Sequence, residues 1–430
     1  TNMQRTLVED LSAHCGEQVL VKGWLERIRE LSTVTFLILR DRTGTVQIAA
    51  DPKLYAELKL STESVVEVLG RVHSEPRAKA GFEVAADKIT VLSRAENLPI
   101  QINGPVLNVP LELALDNRVL SLRHRLINPI FRIQAALVHG FQTFLSREGF
   151  VQVFTPKIVA SGTEGGTELF PLQYFEEKAF LCQSPQFYKQ MMVGAGYERV
   201  YEVGHVYRAE KHATSRHLNE YVSLDLEMGF IEDEHEIMAL ENRLLAFMFS
   251  YTAERCAKEL HILDVEVPSV PAAIPKIALD DALALLTEKY GKQAAGQDLD
   301  PEGERLLSEH IKETTGSEFV FVTDYTWEKR PMYTMPKGTG LTRSFDLLFR
   351  GLEITTGGQR IHTHGLLVEN IRKKGLDPDA FSSYIENFAW GMPPHGGLAI
   401  GLERLTAQLL GLANVREASL FPRDRFRLTP

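Results

Sequence analysis

Tyr207-Arg208-Ala209-Glu210, then Arg216-His217-Leu218-Asn219-Glu220, then Ser223-Leu224-Asp225-Leu226-Glu227-Met228 is the stretch whose reading decides the fold. An aromatic and apolar run precedes Arg208, and the residues from Leu224 onward again read as a strand. What lies between is polar, so the whole reads as a hairpin with one cation on either side of its loop. Such a loop can fold and hold a flexible triphosphate, because guanidinium groups match phosphate oxygens bidentately. Taken singly, Arg208 and Glu210 would be a surface ion pair worth roughly 0–1 kcal/mol. It is their neighbours that change the reading.

Working outward, the spacing predicts a helix over Arg132–Glu148 and a strand over Phe150–Phe154, stopped by Pro156. Beyond the hairpin it predicts helices over Glu232–Leu260 and Pro301–Glu313, and strands at Phe319–Thr323, Arg343–Phe349 and Gly396–Gly401. Strands broken by helices of unequal length, with no regular βαβ period, predict an α+β domain: an antiparallel sheet flanked by helices. The first hundred residues differ. Strands are expected at Val19–Leu25, Thr33–Arg40, Thr45–Ala50, Ser64–Val72 and Phe82–Leu92, with the turn Asp41-Arg42-Thr43-Gly44 between two of them. Five short strands in a meander fit a small barrel of the OB type. Asn97–Pro110 reads as a linker and Leu111–Arg125 as a hinge helix. The expected domains are therefore residues 1–103, a linker and hinge over 104–127, and residues 128–430.

The 430 residues are 44% hydrophobic and 24% charged, the composition of a globular enzyme with a sizeable core. Thr1-Asn2-Met3-Gln4-Arg5 is too polar for a signal peptide, and no apolar run approaches the ~18–20 residues of a membrane span. The expectation is a cytoplasmic protein with no membrane partner. Three widely spaced cysteines, Cys15, Cys182 and Cys256, offer neither a disulfide framework nor a CxxC zinc site. A net charge of -10 argues against a nucleic-acid coat but leaves a local basic groove open.

Two further stretches carry chemistry. Gly401-Leu402-Glu403-Arg404-Leu405 follows the glycine-rich strand and opens an apolar helix, so Arg404 stands where a strand turns into a helix and can reach a phosphate. In Glu353-Ile354-Thr355-Thr356-Gly357-Gly358-Gln359-Arg360, Glu353 and Thr356 are close enough to share one oxygen-ligated ion. A carboxylate and a hydroxyl suit Mg2+, which takes few protein ligands. The bland alternative for this stretch is a solvated turn.

Together these residues resemble a class II aminoacyl-tRNA synthetase of the aspartyl type, subclass IIb, in the compact form of archaea and some bacteria. The likeness runs from about residue 5 to Leu420-Phe421-Pro422-Arg423-Asp424. The helix and strand ending at Pro156 resemble motif 1, which in the family forms a homodimer interface; Tyr207–Glu227 resembles motif 2 and Gly396–Leu405 motif 3. The aspartyl type rests on Thr163–Phe170, on Gln183-Ser184-Pro185-Gln186-Phe187-Tyr188-Lys189 and on Gly357–Arg360. The resemblance implies ATP as substrate, Mg2+ as cofactor, and L-aspartate and tRNA as partners, with no DNA. By it Glu164, Gln186 and Asp225 contact the amino group or the loop above it, and Lys189 and Arg360 take the side-chain carboxylate. Arg208 bridges the α-carboxylate and the α-phosphate. Glu210 orients the adenine or ammonium side, and Arg216, His217 and Arg404 hold the bent triphosphate. Leu218, Gly401, Leu402 and Glu403 line the nucleotide, and Glu353 and Thr356 bind Mg2+. Thr356 stands where the family more often has serine. Arg208, Arg404 and Glu353 form the catalytic set.

Physics supports the acid over the amide: an asparagine side chain would leave Lys189 and Arg360 without a counter-charge. An uncompensated buried charge costs about 2–5 kcal/mol. In the barrel, Phe36 follows Arg27 and Arg29, with Gln47 on the next strand, and an exposed aromatic among cations suits an unstacked base. By the resemblance Phe36 and Gln47 meet the central anticodon uridine, while Glu26, Arg29 and Lys79 neighbour the third base, C in tRNA-Asp and U in tRNA-Asn. The compact form favours an enzyme charging both. The alternatives are an asparaginyl-tRNA synthetase, a tRNA-independent asparagine synthetase on the same catalytic fold, and a non-catalytic RNA-binding protein.

Overall fold

The computed structural model describes residues 3–163, 168–293, 296 and 298–430. It divides into two compact units, Thr1–His124 and Arg125–Pro430.

The first unit is a closed barrel of five strands, β1 Gln18–Glu30, β2 Thr35–Arg40, β3 Thr45–Ala50, β4 Val65–Ser74 and β5 Phe82–Ser93. Its strands alternate inward and outward as the period of two requires. Val19, Val21, Leu25, Leu37, Leu39, Val46, Ile48, Val66, Val68 and Val84 fill the interior. The barrel is the expected type, but the order β1-β2-β3-β5-β4 is not a meander. Residues 51–64, with a short helix at Pro52–Ala56, carry the chain away from β3. β5 then pairs parallel with β3, and β4 pairs antiparallel with β1, which closes the barrel and removes its open edges. The expected hinge helix forms as two pieces, Leu111–Asp116 and Arg118–Ser121, broken at Asn117.

The second unit is built on β6 Val151–Gln152, β10 Arg199–Tyr207, β11 Glu220–Gly229, β12 Lys276–Ala278, β13 Phe319–Thr323, β16 Ser344–Phe349, β17 Leu352–Arg360 and β18 His395–Gly401. A small three-stranded sheet holds β7 Ile158–Val159, β8 Pro171–Tyr174 and β9 Glu177–Leu181, and β14 Pro336–Lys337 pairs with β15 Leu341–Thr342. The large sheet runs β12-β13-β16-β17-β18-β11-β10-β6. It is antiparallel except at its two edges, where β12 and β6 pair parallel with their neighbours. Of the expected strand Phe150–Phe154 only Val151–Gln152 pairs. The expected helix Glu232–Leu260 is two helices, Glu234–Arg255 and Ala257–Leu263, parted at Cys256 (φ -116°, ψ 29°).

Leu224, Leu226, Met228, Leu398 and Ile400 turn one face of the sheet into the main core, against the helices Asn128–Arg147, Glu234–Arg255 and Leu402–Leu410. Alternation then puts Ser223, Asp225 and Glu227 on the other face. There, helices Leu279–Tyr290 and Pro301–Thr315 pack on Val320, Val322 and Leu348 at one end, leaving a trough over β10, β11, β18 and β17. Two strand glycines allow close packing on opposite faces: on the trough side a Cβ on Gly397 would collide with the Glu227 carboxylate and the Leu226 carbonyl, and on the core side one on Gly357 would sit 2.5 Å from the Phe345 ring.

Candidate active site

The trough holds two cavities that share lining residues. The smaller, of about 290 Å3, is walled by Arg208, Glu210, Arg216, His217, Leu218, Glu353, Thr356, Gly401, Glu403 and Arg404. The loop of the β10–β11 hairpin brings Arg208 and Arg216 here, and Asn219 staples it by donating to the carbonyls of Arg208 (2.7 Å) and Glu210 (2.9 Å). Arg404 ties three elements together: its Nε donates to the Arg216 carbonyl at 3.2 Å and its Nη1 to the Glu353 carbonyl at 3.0 Å. Burial, with Arg404 and Arg216 adding to it, pushes the His217 pKa down to about 4, so the ring is a neutral hydrogen-bonding group. Its Nδ1 lies 2.6 Å from the Thr214 hydroxyl. Arg216 pairs with Glu304 of the helix Pro301–Thr315, whose carboxyl burial raises to about 7. Two expected nucleotide residues serve the fold in large part. Both Glu403 oxygens accept from Val222 N at 3.1 Å, and Leu402 is packed in the core rather than on the wall.

The larger cavity, about 820 Å3, is lined by Gln186, Lys189, Arg208, Glu353, Thr356 and Arg360, among others. Arg208, Glu353 and Thr356 thus stand where the two spaces meet. Lys189, on the helix Gln186–Met192, and Arg360, at the end of β17, both line this cavity, but not as bare cations. Lys189 Nζ donates to Asp225 Oδ1 (3.0 Å) and to the carbonyls of Leu226 (3.3 Å) and Leu398 (3.1 Å), and lies 3.4 Å from Glu227 Oε2. Arg360 donates through Nε to Glu227 Oε1 at 3.0 Å and through Nη2 to Gln186 Oε1 at 3.3 Å. The argument that an amide would leave both cations without a counter-charge therefore needs correction: each already faces a carboxylate of β11. Burial works to raise the Glu227 carboxyl, yet Arg360 and Lys189 hold it below its ordinary value. Glu227 escaped the sequence reading; its signal was the alternation Asp225, Glu227 inside an otherwise apolar strand. Glu164 lies outside the described residues.

Thr356 Oγ1 donates to Glu353 Oε1 at 3.0 Å, so a carboxylate and a hydroxyl oxygen share one corner of the nucleotide cavity. The solvated-turn alternative fails, because both sit on the central strand β17. Hard oxygen donors in this corner fit Mg2+. Asp346, paired with Thr356 across β16–β17, was also missed. It is buried, accepts from Arg330 at 2.8 Å, and its pKa rises to about 6 through burial, with Arg330 opposing and Glu353 adding.

Comparison with known proteins settles the family. Residues 110–425 match the model of tRNA synthetases class II (D, K and N). The chain belongs to that family. Its relatives include the aspartate–tRNA(Asp/Asn) ligases of Deinococcus radiodurans, 51% identical over 100% of this chain and 99% of the relative, and of Thermus thermophilus, 50% identical over 99% and 100%. The aspartate–tRNA(Asp) ligase of Thermococcus kodakarensis is 46% identical over 100% of this chain and 99% of its own. Among solved structures, asparaginyl-tRNA synthetase of Pyrococcus horikoshii with asparaginyl-adenylate superposes with a TM-score of 0.92 over 99% of this chain and 100% of that one, at 30% identity. Shape alone does not part the aspartyl from the asparaginyl enzymes. Sequence does, since the aspartate ligases stand at about half identity over full length.

Residues 19–92 of this synthetase match an OB-fold nucleic-acid-binding domain, the extent of the barrel. Phe36 is not core: Leu37 and Leu39 point inward while Phe36 lies on the outer face. Register sets Arg29 opposite Phe36, Arg27 opposite Ile38 and Ile38 opposite Gln47, so the four sequence-selected residues share that face. Gln47 donates to Glu83 at 2.7 Å, and Arg27 to the Asn103 carbonyl at 3.2 Å. Glu26 lies 3.5 Å from Arg40, at the bulge of β1. Lys79 is exposed between β4 and β5. Among the described residues no helix is long and apolar enough to cross a membrane.

Proposed function

We propose that this synthetase joins L-aspartate to ATP, forming aspartyl-adenylate, and then transfers the aspartyl group to both tRNA-Asp and tRNA-Asn. The observation that carries the reading is the meeting of two cavities at Arg208, one lined by Arg216 and Arg404, the other by Lys189 and Arg360. The first suits a folded polyphosphate and the second a small dicarboxylic amino acid, which puts the α-carboxylate beside the α-phosphate. In-line attack releases pyrophosphate. Positioning and charge neutralisation by Arg208, with no covalent enzyme intermediate, supply the acceleration. Arg404 and Arg216 hold the outer phosphates, and His217, Leu218, Glu210, Gly401 and Glu403 complete the nucleotide wall. Gln186 and Asp225 face the amino acid. Glu353 and Thr356, with Asp346 near them, would hold Mg2+, which when bound neutralises phosphate charge.

A tRNA terminal 3′-hydroxyl then attacks the mixed anhydride, and among the described residues no side chain of the trough stands out as its general base. Phe36, Gln47, Arg27, Arg29 and Lys79 would engage the anticodon, with residues 104–127 as the hinge to the catalytic domain 128–430. A twofold dimer through the helix Asn128–Arg147 and β6 is supported by the exposed apolar Val151, Phe154 and Ile158. ATP and tRNA as substrates imply a cytoplasmic place of action.

The reading of both tRNAs rests on the two aspartate–tRNA(Asp/Asn) ligases at half identity. Charging tRNA-Asp and tRNA-Asn transcripts side by side tests it. Aspartate on both supports the reading, and aspartate on tRNA-Asp alone would restrict the enzyme to one tRNA.

A further inference from the structure

His395 opens β18 directly opposite Arg360 of β17 and is wholly buried. Its Nδ1 lies 2.8 Å from the Pro393 carbonyl oxygen, which can only accept, so Nδ1 carries the ring proton. Burial pushes the ring's pKa down to about 4; Glu227 opposes this, while Arg360 and His362 add to it. The ring is therefore neutral near pH 7 and Nε2 is an acceptor. Gln190 Nε2, 2.8 Å away, must be the donor to it. That leaves Gln190 Oε1 to accept from the Tyr384 hydroxyl at 3.0 Å and from Gln186 Nε2 at 3.1 Å. With its nitrogen committed, Gln186 turns Oε1 towards Arg360 Nη2, at 3.3 Å. Each bond of the chain runs in one direction, and that direction is set at its far end by a backbone carbonyl.

From this geometry we infer that His395 is a positioning residue for the aspartate pocket: acting through Gln190, it fixes which end of the Gln186 amide faces Arg360. The inference rests on the reading that Arg360 receives the substrate carboxylate. Without an acceptor at position 395, Gln190 is free to turn over and present its nitrogen to Gln186. Gln186 would then have to offer its oxygen to Gln190 and its nitrogen to Arg360, donor against donor. The guanidinium would shift away from its place between Gln186 and Glu227, and the pocket would lose the fixed cation.

The test is ATP–pyrophosphate exchange with three variants. His395→Leu removes the acceptor and is expected to raise the aspartate KM roughly tenfold to a hundredfold, the cost of a misdirected buried hydrogen bond, with the ATP KM unmoved. His395→Gln keeps an oxygen acceptor and is expected to restore most of the aspartate affinity. Arg360→Met tests the underlying reading by itself. If it leaves the aspartate KM unchanged, that reading fails; if it raises the KM while His395→Leu does not, the relay alone fails. Should His395→Leu not fold, the ring nitrogen shifts of 15N-histidine in the unaltered protein decide. A neutral Nδ1–H ring near pH 7 upholds the relay, and an Nε2–H or charged ring overturns it.

Discussion

Glu241 lies wholly buried on the helix Glu234–Arg255, both carboxyl oxygens unpaired among the described residues and the Thr355 hydroxyl close by but outside bonding geometry. Burial lifts its pKa from 4.5 to about 8, with Thr355 opposing. The folded state thus holds a proton that the unfolded chain has released. Its contribution to stability is full below the unfolded value and is lost as pH rises through about 8. Glu241→Gln is expected to change little near pH 5 and to be the more stable protein near pH 9. Urea unfolding at the two pH values checks this, and a constant difference would exclude Glu241 as the titrating group. Lys189→Met makes the complementary case. It strands Asp225 and Glu227 with one cation between them, so we expect a loss of about 3–5 kcal/mol of stability besides weaker aspartate binding. Unchanged unfolding would mean that the two carboxylates take up protons instead. Lys189 and Arg360 were legible in the sequence because they stand in recognisable surroundings. Glu227 and Asp346 were not, since a sequence displays a charge but not the face it occupies or the partner it meets.

At the scale of elements, what could be read from periodicity was an element whose own residues decide it. β13, Phe319–Thr323, is apolar enough to be named from its five residues. The place of β4 between β5 and β1 depends on which strands meet across the barrel, and no local pattern encodes that. Apolar periodicity also runs through Cys256 without a proline or glycine, so the break between the two helices there is tertiary in origin. At Gly397 of β18 the space a side chain would need is filled by Glu227 and Leu226. Gly397→Ala should therefore push β18 away from β11 and disturb the carboxylate that both pocket cations share. Exchange activity should be lost while the far-ultraviolet circular dichroism keeps its helical content. A variant with ordinary aspartate KM would show that the sheet relaxes around the new methyl.

Across the whole molecule, a net charge of -10 makes general attraction to RNA a poor account of tRNA binding, so affinity has to come from local faces. The outer surface of β1–β3 is the one we propose: Arg27 and Arg29 flank Phe36, with Gln47 beside them in register. Base stacking on an aromatic is worth about 1–3 kcal/mol, or roughly fivefold to 150-fold in affinity. Phe36→Ala is expected to raise the KM for tRNA within that range and to leave aspartate-dependent ATP–pyrophosphate exchange untouched. The reason is compositional as well as spatial. Phe36 lies in the unit Thr1–His124, whereas the residues that line both cavities belong to Arg125–Pro430. Adenylate formation needs only the second set. A fall in exchange on losing Phe36 would mean that the two steps are not separable by unit, and that the barrel acts on the trough as well as on the anticodon.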